Sequence, residues 1–578
     1  MNKVKVLALS ASVALMIGCS DADTKLANSA KAEVGFTKVN QLGYLSAAKK
    51  LAVVPAVAAA KFDIIDVTSG KVVFTGSLSD VKSWNAMGDE PFKLADFSAL
   101  QAEGSYRLVV QGVSDSYTFD ISPSVYSQAH DGALKAYYYN RASTELTEQY
   151  AGAYARPEGH PDTDVRIFDN AASAARPADT SFAAPKGWYD AGDYGKYIVN
   201  SGISTYTLMA AYEHFPSFYN QRDINIPESG DAVPDILDEV MWNLEWMQAM
   251  QDPNDGGVYH KLTTLNFSGA VMPHEATAQR YFIKKSTAAT LDFAAVMATA
   301  SRVYATFEGA FPGKSAAYRQ AAITAWEWAQ ANPSETYSQT PLSKVQTGAY
   351  GDKKLNDEFA WAAAELFILT GEQKYWQAFN KQKVQAGESS WANVAGLGFI
   401  SLANNARSLL NEAQYKTVTD SIVRAADSLL VTYKENAYQV PIGDNDFFWG
   451  GNSGTLNRAW LLLEANKIKP QQEYIDAALA AVDYIYGRNP TNYSFVTGFG
   501  DNPAVGIHHR PSYADGIKAP VPGWLAGGAH NGKQDGCEYP SDAPAKSYLD
   551  DWCSYSTNEI AINWNAPLVY ILAAVNNL

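Results

Sequence analysis

The chain has 578 residues, of which 47% are hydrophobic, 12% aromatic and 18% charged, a balance that fits a globular protein of two or more domains and excludes a disordered or fibrous one. Its 61 acidic residues outnumber 45 basic ones, giving a formal net charge of −16 and a pI near 5.0. With no cationic run to meet phosphates, nucleic acid is excluded as a partner and a neutral one is expected.

In chain order, Lys3 and Lys5 precede an apolar stretch from Val6 to Gly18, too short to span a bilayer but suited to a signal h-region. It ends in "LMIGCS", which resembles a bacterial lipobox, so residues 1–18 are read as a lipoprotein signal peptide and Cys19 as the lipidation site. Ser20 after the cysteine favours the outer membrane. The expected location is the bacterial cell envelope, with membrane contact only through the lipid, and residues 19–33 read as the lipidated tether. Cys537 and Cys553 remain, sixteen apart in an exported chain, which predicts a disulfide closing a local loop.

Residues 34–122 carry strand signals: "KFDIIDVTSGKVVFTG" holds two β-rich runs around a Ser-Gly turn, and "GSYRLVV" and "SYTFDIS" alternate. A small all-β sandwich is expected. From residue 123 the period becomes helical, as in "PDILDEVMWNLEWMQAM", "STAATLDFAAVMATASRVYATF", "DEFAWAAAELFIL", "TLNRAWLLLEAN", "EYIDAALAAVDYIYG" and "NEIAINWNAPLVYILAAV". Several are Ala-rich and apolar on more than one face, as helices covered on both sides are. The stretches 150–190, 250–285 and 490–556 are expected to be long loops, where function concentrates.

Three polar clusters fall in those loops: Asp190 and Asp193 in "GWYDAGDYGKYIVN", "HHR" at His508 to Arg510, and Asp550, Asp551 and Glu559 in "YLDDWCSYSTNE". No histidine pair sits at one-turn helical spacing and no GxSxG is present, which turns the reading from metal or serine chemistry toward carboxylates. Glycosidic cleavage needs one carboxylic acid to protonate the leaving oxygen and one carboxylate to activate water or attack. Aromatic faces stack on sugars, and Trp188, Tyr189, Tyr194, Trp524, Trp552 and Tyr555 flank the clusters. The helical Trp242, Trp246, Trp326, Trp328 and Trp361 read as core.

"VNQLGYLSAAKKLAVV", "GWYDAGDYGKYIVN", "PDILDEVMWNLEWMQAMQDPNDGGVYHK", "STAATLDFAAVMA", "YGRNPTNYSFVTGFG", "HHRPS" and "YSTNEIAINWNAPLVY" together closely resemble glycoside hydrolase family 9, in the family's order over residues 34–578. The resemblance implies an all-α (α/α)6 barrel at 123–578, preceded by an immunoglobulin-like β-sandwich at 34–122. It implies inverting cleavage of β-1,4-glucosidic bonds in cellulose-like or mixed-linkage glucan. Carried over by position, Asp193 is the catalytic base, Asp190 helps to hold its water, and Glu559 is the general acid, with the 193 and 559 carboxyls roughly 6.5 to 9.5 Å apart. The glycines of the motif are expected to let the chain turn tightly. His508 and Arg510 are expected to donate hydrogen bonds to sugar hydroxyls, with Asp550, Trp188, Tyr189 and Tyr555 as further substrate-binding residues.

No cofactor is expected for catalysis. The resemblance also implies a structural calcium near "YGDKKLNDEF", where Asp352, Asp357 and Glu358 offer hard oxygen ligands, and the zinc site of some relatives is expected to be absent, since no cysteine lies between Cys19 and Cys537. The long segment tied by Cys537 and Cys553 could wall off the cleft. This keeps an exo-acting β-glucosidase or β-glucosaminidase on soluble oligosaccharides as the alternative to an endoglucanase. A glucan-capturing surface lipoprotein and a polysaccharide lyase are the readings of other classes. The chain is expected to act as a monomer.

Overall fold

The computed structural model describes residues 35–88 and 90–578. The signal, lipidation and tether readings, Cys19 included, lie outside the described residues.

Strand Lys61–Asp66 shows the period of two that the sequence carries: Lys61 is exposed while Phe62 and Ile64 are buried. It pairs antiparallel with Val72–Ser77 across a turn in which Gly70 takes φ 67°, a left-handed conformation costly to other residues. These two strands, with Gly104–Val109, Phe119–Ile121 and Gly43–Tyr44, make one five-stranded sheet, and Leu51–Pro55 pairs with Phe92–Asp96 in a second. Their shared core includes Val39, Ala52, Phe62 and Leu108, with Tyr44 edge-on to Phe97 and Phe119 at 5.2 and 5.5 Å.

Twelve helices of nine residues or more follow among the described residues. They alternate along the chain between an outer layer (Ser127–Tyr139, Asp235–Ala249, Lys314–Ala331, Gln373–Lys381, Glu412–Glu435, Gln472–Ile485) and an inner one (Ile198–His214, Thr287–Tyr304, Asn356–Thr370, Ala395–Asn405, Gly451–Ile468, Ile562–Val575). Inner helices pack on inner neighbours: Ile198–His214 lies between Thr287–Tyr304 and Ile562–Val575, and Asn356–Thr370 between Thr287–Tyr304 and Ala395–Asn405. Composition explains the layering. The inner helix beginning at Ile198 is buried continuously to Ala211, whereas the outer Lys314–Ala331 buries only Tyr318, Ala322, Ala325, Trp326 and Ala329. This is the expected (α/α)6 barrel.

Two of the stretches expected as loops, 150–190 and 250–285, contribute strands instead. Lys196–Tyr197, Tyr259–Thr263, Tyr281–Lys285, Val165–Ile167 and Ser181–Phe182 form a five-stranded sheet, in that order. The strands are two to five residues long and their partners are distant in sequence, too little local signal for a periodicity reading.

Candidate active site

At the N-terminal end of the inner helix Ile198–His214, the DAGD turn is folded on itself: the Asp190 N–H donates to the Gly195 carbonyl at 3.0 Å and the Gly195 N–H to Asp193 Oδ2 at 2.9 Å. Of the motif's three glycines Gly187 takes φ 80°, as a tight turn needs; at Gly192 and Gly195 φ is ordinary, so the expected reason is corrected there: it is space, not conformation. A Cβ at Gly192 would stand 2.3 Å from the His508 carbonyl oxygen and 3.2 Å from Glu559 Oε1; one at Gly195 would stand 2.5 Å from Tyr197 Oη. The turn is thus pressed against the segment of the second cluster where it meets that of the third. There His508 and Glu559 are paired in parallel, the His508 N–H donating to the Asn558 carbonyl at 2.9 Å, and the Ile562 N–H returns to the Asp190 carbonyl at 2.8 Å. Glu559 is extended (φ −70°, ψ 156°), three residues before the last inner helix begins, rather than within the helix that "NEIAINWN" suggested.

These contacts bring Asp193 and Glu559 onto the wall of one cavity of about 800 Å³, shared with Tyr197, Tyr350, Trp391, Trp449, His508, Arg510, Tyr555, Asn563 and Trp564. Tyr197 donates its hydroxyl to Asp193 Oδ2 at 3.0 Å, and Oδ1 has no protein donor among the described residues. Asp190 lies behind, fully buried and outside the cavity lining, with Oδ1 held by Asn200 Nδ2 and Oδ2 by the Tyr350 hydroxyl, both at 2.8 Å. The expectation that Asp190 helps to hold the water is corrected: it stands outside the cavity and reaches the site through Tyr350. Burial first, then the neighbouring Asp193 charge, push the Asp190 carboxyl up to about 8, against the pull of Asn200 and Tyr350. Glu559, on the cavity wall but deep within it, is raised well above the usual carboxylate range by burial and then by the charges of Asp193 and Asp190. A carboxyl that keeps its proton beside an aspartate whose Oδ1 faces no donor is the pairing that general acid and base chemistry requires.

Tyr350 was not foreseen. It sits at φ 44° in a loop whose carbonyls are gripped from strand Tyr259–Thr263: His260 Nε2 on Ala349 O at 2.8 Å and Lys261 Nζ on Gly348 O at 2.6 Å. Burial lowers the Lys261 ammonium to about 7. Trp391, Trp449 and Trp564 were also missed. The first and third stand outside the quoted motifs' loop positions, but "DFFWGG" is a loop aromatic run of the kind already counted as a platform.

Of the predicted substrate-binding residues, His508, Arg510 and Tyr555 line the cavity. His508 Nδ1 lies 2.8 Å from the Trp552 carbonyl, which can only accept, so the neutral ring carries its proton there and Nε2 is left an acceptor, not the donor expected. Burial favours that neutral form. Arg510 spends Nη1 on the Gly192 carbonyl and Nε on that of Ser268, leaving Nη2 without a protein acceptor among the described residues. Trp188 and Tyr189 are corrected. Trp188 is fully buried against Tyr137 with Nε1 on Glu239 Oε1, and the Tyr189 hydroxyl meets His160 Nδ1 at 2.8 Å; neither lines the cavity, because the two adjacent rings are buried in different clusters, Trp188 in the barrel core and Tyr189 with Ala142 and Tyr194. Trp524 is core as well, and Trp552 stacks on His508 at 4.2 Å. Asp550 is corrected too: its carboxylate accepts from the Val505 and Gly506 N–H groups and from Asn558 Nδ2, tying together the two strands that present His508 and Glu559.

Cys537 and Cys553 are joined, and the tied segment stands behind the cavity: none of the described residues 527–554 lines it, and Gln534 accepts from the Tyr555 hydroxyl at 2.8 Å. Asp352, Asp357 and Glu358 lie around a fourth acid, Asp292, on the inner helix Thr287–Tyr304. Among the described residues no three such groups gather into a metal shell. Yet both oxygens of Asp292 and both of Glu358 are buried without a donor, and burial with the neighbouring acids raises both carboxyls well above normal. Four donorless oxygens in one buried place fit a hard cation. The hint for Asp292 was the one acid in a helix that is otherwise apolar around it.

The family model described as Glycosyl hydrolase family 9 matches residues 126–572, and that of the Cellulase N-terminal ig-like domain matches 36–115. The chain belongs to glycosyl hydrolase family 9. Within the family it is 41% identical over 577 residues to the Xyloglucan-specific endo-beta-1,4-glucanase of Bacteroides ovatus, covering 98% of this chain and 96% of that one. It is 34% identical to Endoglucanase D of Acetivibrio thermocellus over 547 residues, 93% and 83% of the respective chains. The solved Bacteroides ovatus GH9 structure superposes with TM-score 0.88 at 40% identity, over 93% of this chain and 98% of that chain. The protein is a glycosidase of this family.

Proposed function

We propose that the chain is an inverting endo-β-1,4-glucanase in which Asp193 activates water and Glu559 protonates the departing glycosidic oxygen. The observation that carries this is the meeting of Asp193 and Glu559, 366 positions apart in sequence (559 − 193), on one aromatic-lined cavity. Asp193 Oδ1 is available to a water, Asp190 and Tyr350 fix the turn beneath, and Glu559 holds a proton because its surroundings disfavour the charge. His508 and Arg510 keep one free acceptor and one free donor for sugar hydroxyls. The aromatics supply faces for sugar rings, and the disulfide-tied segment backs the wall instead of plugging the cavity, which supports internal cutting over trimming from one end. The Bacteroides ovatus relative makes xyloglucan a substrate to test beside cellulose-like and mixed-linkage glucans.

We further infer a structural calcium held by Asp292, Asp352, Asp357 and Glu358, which would supply charge neutralisation to the inner helices. We also infer a monomer anchored to the cell envelope through Cys19.

The test is product analysis on a chain-length series of soluble glucans. Rapid shortening of polymer, abolished in Asp193→Asn and Glu559→Gln, is expected. Steady release of one small sugar would overturn the endo reading, and variants within a few-fold of wild type would overturn the residue roles.

A further inference from the structure

The loop between the outer helix Glu412–Glu435 and the inner helix Gly451–Ile468 ends in Phe448 and Trp449, each 39% exposed, and Trp449 lines the cavity with its ring 5.3 Å from that of Tyr555. An exposed tryptophan at a cavity mouth has few contacts of its own to fix it, so its pose depends on what holds the loop. One anchor is internal: Asp446 accepts from the Gly443 N–H and, with Glu388, pairs with Arg458 of the inner helix. The other comes from the β-sandwich. Trp84, 5% exposed, packs its ring on Tyr438 and Phe447 at 5.4 and 5.6 Å and donates Nε1 to Asp444 Oδ1 at 2.7 Å, while Asn85 Nδ2 holds the second oxygen at 3.0 Å. Asp444 is five residues from Trp449.

The same turn of the sandwich, Asn85–Met87, packs against the short turn Pro544–Lys546 of the disulfide-tied segment, and Glu90 pairs with Lys546. That segment in turn carries Gln534, the acceptor of the Tyr555 hydroxyl. A single turn of the β-sandwich thus touches both loops that place the Trp449 and Tyr555 pair.

We propose that the β-sandwich is a positioning element of the cleft: through Trp84 it sets the pose of Trp449, and so governs the binding of glucan chains long enough to reach that ring. This rests on the reading of the cavity as a β-1,4-glucan site. Trp84 touches no substrate and acts through Asp444 and Phe447. Its loss raises KM for long chains and leaves the chemical step intact, because Asp193, Glu559 and the DAGD turn make no contact with it.

The experiment measures kcat and KM for wild type, Trp84→Ala, Trp84→Phe, Asp444→Ala, Trp449→Ala and the Trp84→Ala/Trp449→Ala double variant on β-1,4-gluco-oligosaccharides of increasing length, with Tm for each. In Trp84→Ala, KM for the longest oligosaccharides is expected to rise about fivefold or more, while kcat and the KM of the shortest cleaved substrate stay within twofold. Trp84→Phe, which keeps the ring contacts, is expected to recover part of the loss. The double variant is expected to be no worse than Trp449→Ala, since the two changes act on one interaction. Additive losses, or an equal fall in kcat at every chain length, would overturn the proposal. Should Trp84→Ala fail to fold, Asp444→Ala decides by the same length dependence. A wild type that cleaves none of these glucans instead overturns the substrate reading itself.

Discussion

Gly192→Ala is a one-carbon change whose effect can be worked out from the packing of the active turn. The new Cβ would stand 2.3 Å from the His508 carbonyl oxygen and 2.8 Å from its Cδ2, about 1 Å short of ordinary van der Waals contact. The oxygen is backbone, on a strand paired with the Glu559 segment, and the Gly192 carbonyl is itself held by the Arg510 N–H at 3.2 Å and by Nη1 at 2.5 Å. Relief must therefore move either Asp193 or Glu559 by a substantial part of that 1 Å. Misplacement on that scale lowers kcat by about 100-fold, whereas overpacking costs about 1–3 kcal/mol of stability. In a protein of this size that is a fall in Tm of only a few degrees, about 1 °C per kcal/mol. The assay is kcat on a soluble β-1,4-glucan together with thermal unfolding, using Gly309→Ala as the control because a Cβ there meets nothing within 4 Å. A Gly192→Ala enzyme with kcat within threefold of wild type would refute the claim that the turn and the His508 strand hold the two carboxyls in register.

Other outcomes follow from the same structure. Once Asp190 ionises, above about pH 8, its charge raises Glu559; Asp190→Asn removes that charge, so the acid ionises more readily and the alkaline limb of kcat/KM moves to lower pH, and a limb that stays in place or moves upward in the pH profile contradicts the assignment. Calcium at 100 times its dissociation constant is expected to stabilise chelator-treated protein by about 2.7 kcal/mol. The accompanying rise in Tm should be absent in Asp292→Asn, and calorimetry showing no calcium binding to wild type would remove the site. Replacing Cys537 and Cys553 by serine frees a loop whose closure is worth about 3 kcal/mol in the chain-entropy view. Because Gln534, just ahead of Cys537, holds the hydroxyl of Tyr555, just after Cys553, across the foot of that loop, KM is expected to rise more than kcat falls, and unchanged KM values would show the segment to be uncoupled from the cleft.

The barrel was legible because several of its inner helices are apolar on every face, as the run from Ala566 to Val575 illustrates, and because strands such as Lys61–Asp66 alternate. The two carboxylates were legible because their motifs are compact. Residues that meet them by tertiary contact alone were not. Tyr350 reaches Asp190 from 160 positions away, and nothing near it in sequence distinguishes it from a loop tyrosine. Trp188 and Tyr189 misled for the opposite reason: adjacency in sequence to Asp190 suggested adjacency to substrate, but each ring is buried in its own cluster, Trp188 in the barrel core and Tyr189 with Ala142 and Tyr194. The role of Gly192 was likewise invisible, since close approach of the His508 strand leaves no local mark.

The most direct test of the opposed pair is proton NMR of the first sugar released from a short β-1,4-glucan, recorded before mutarotation. Water delivered by Asp193 to the face away from the Glu559-protonated oxygen yields the α-anomer first. A β-anomer at the earliest times would mean that the two carboxyls do not act from opposite sides of one sugar.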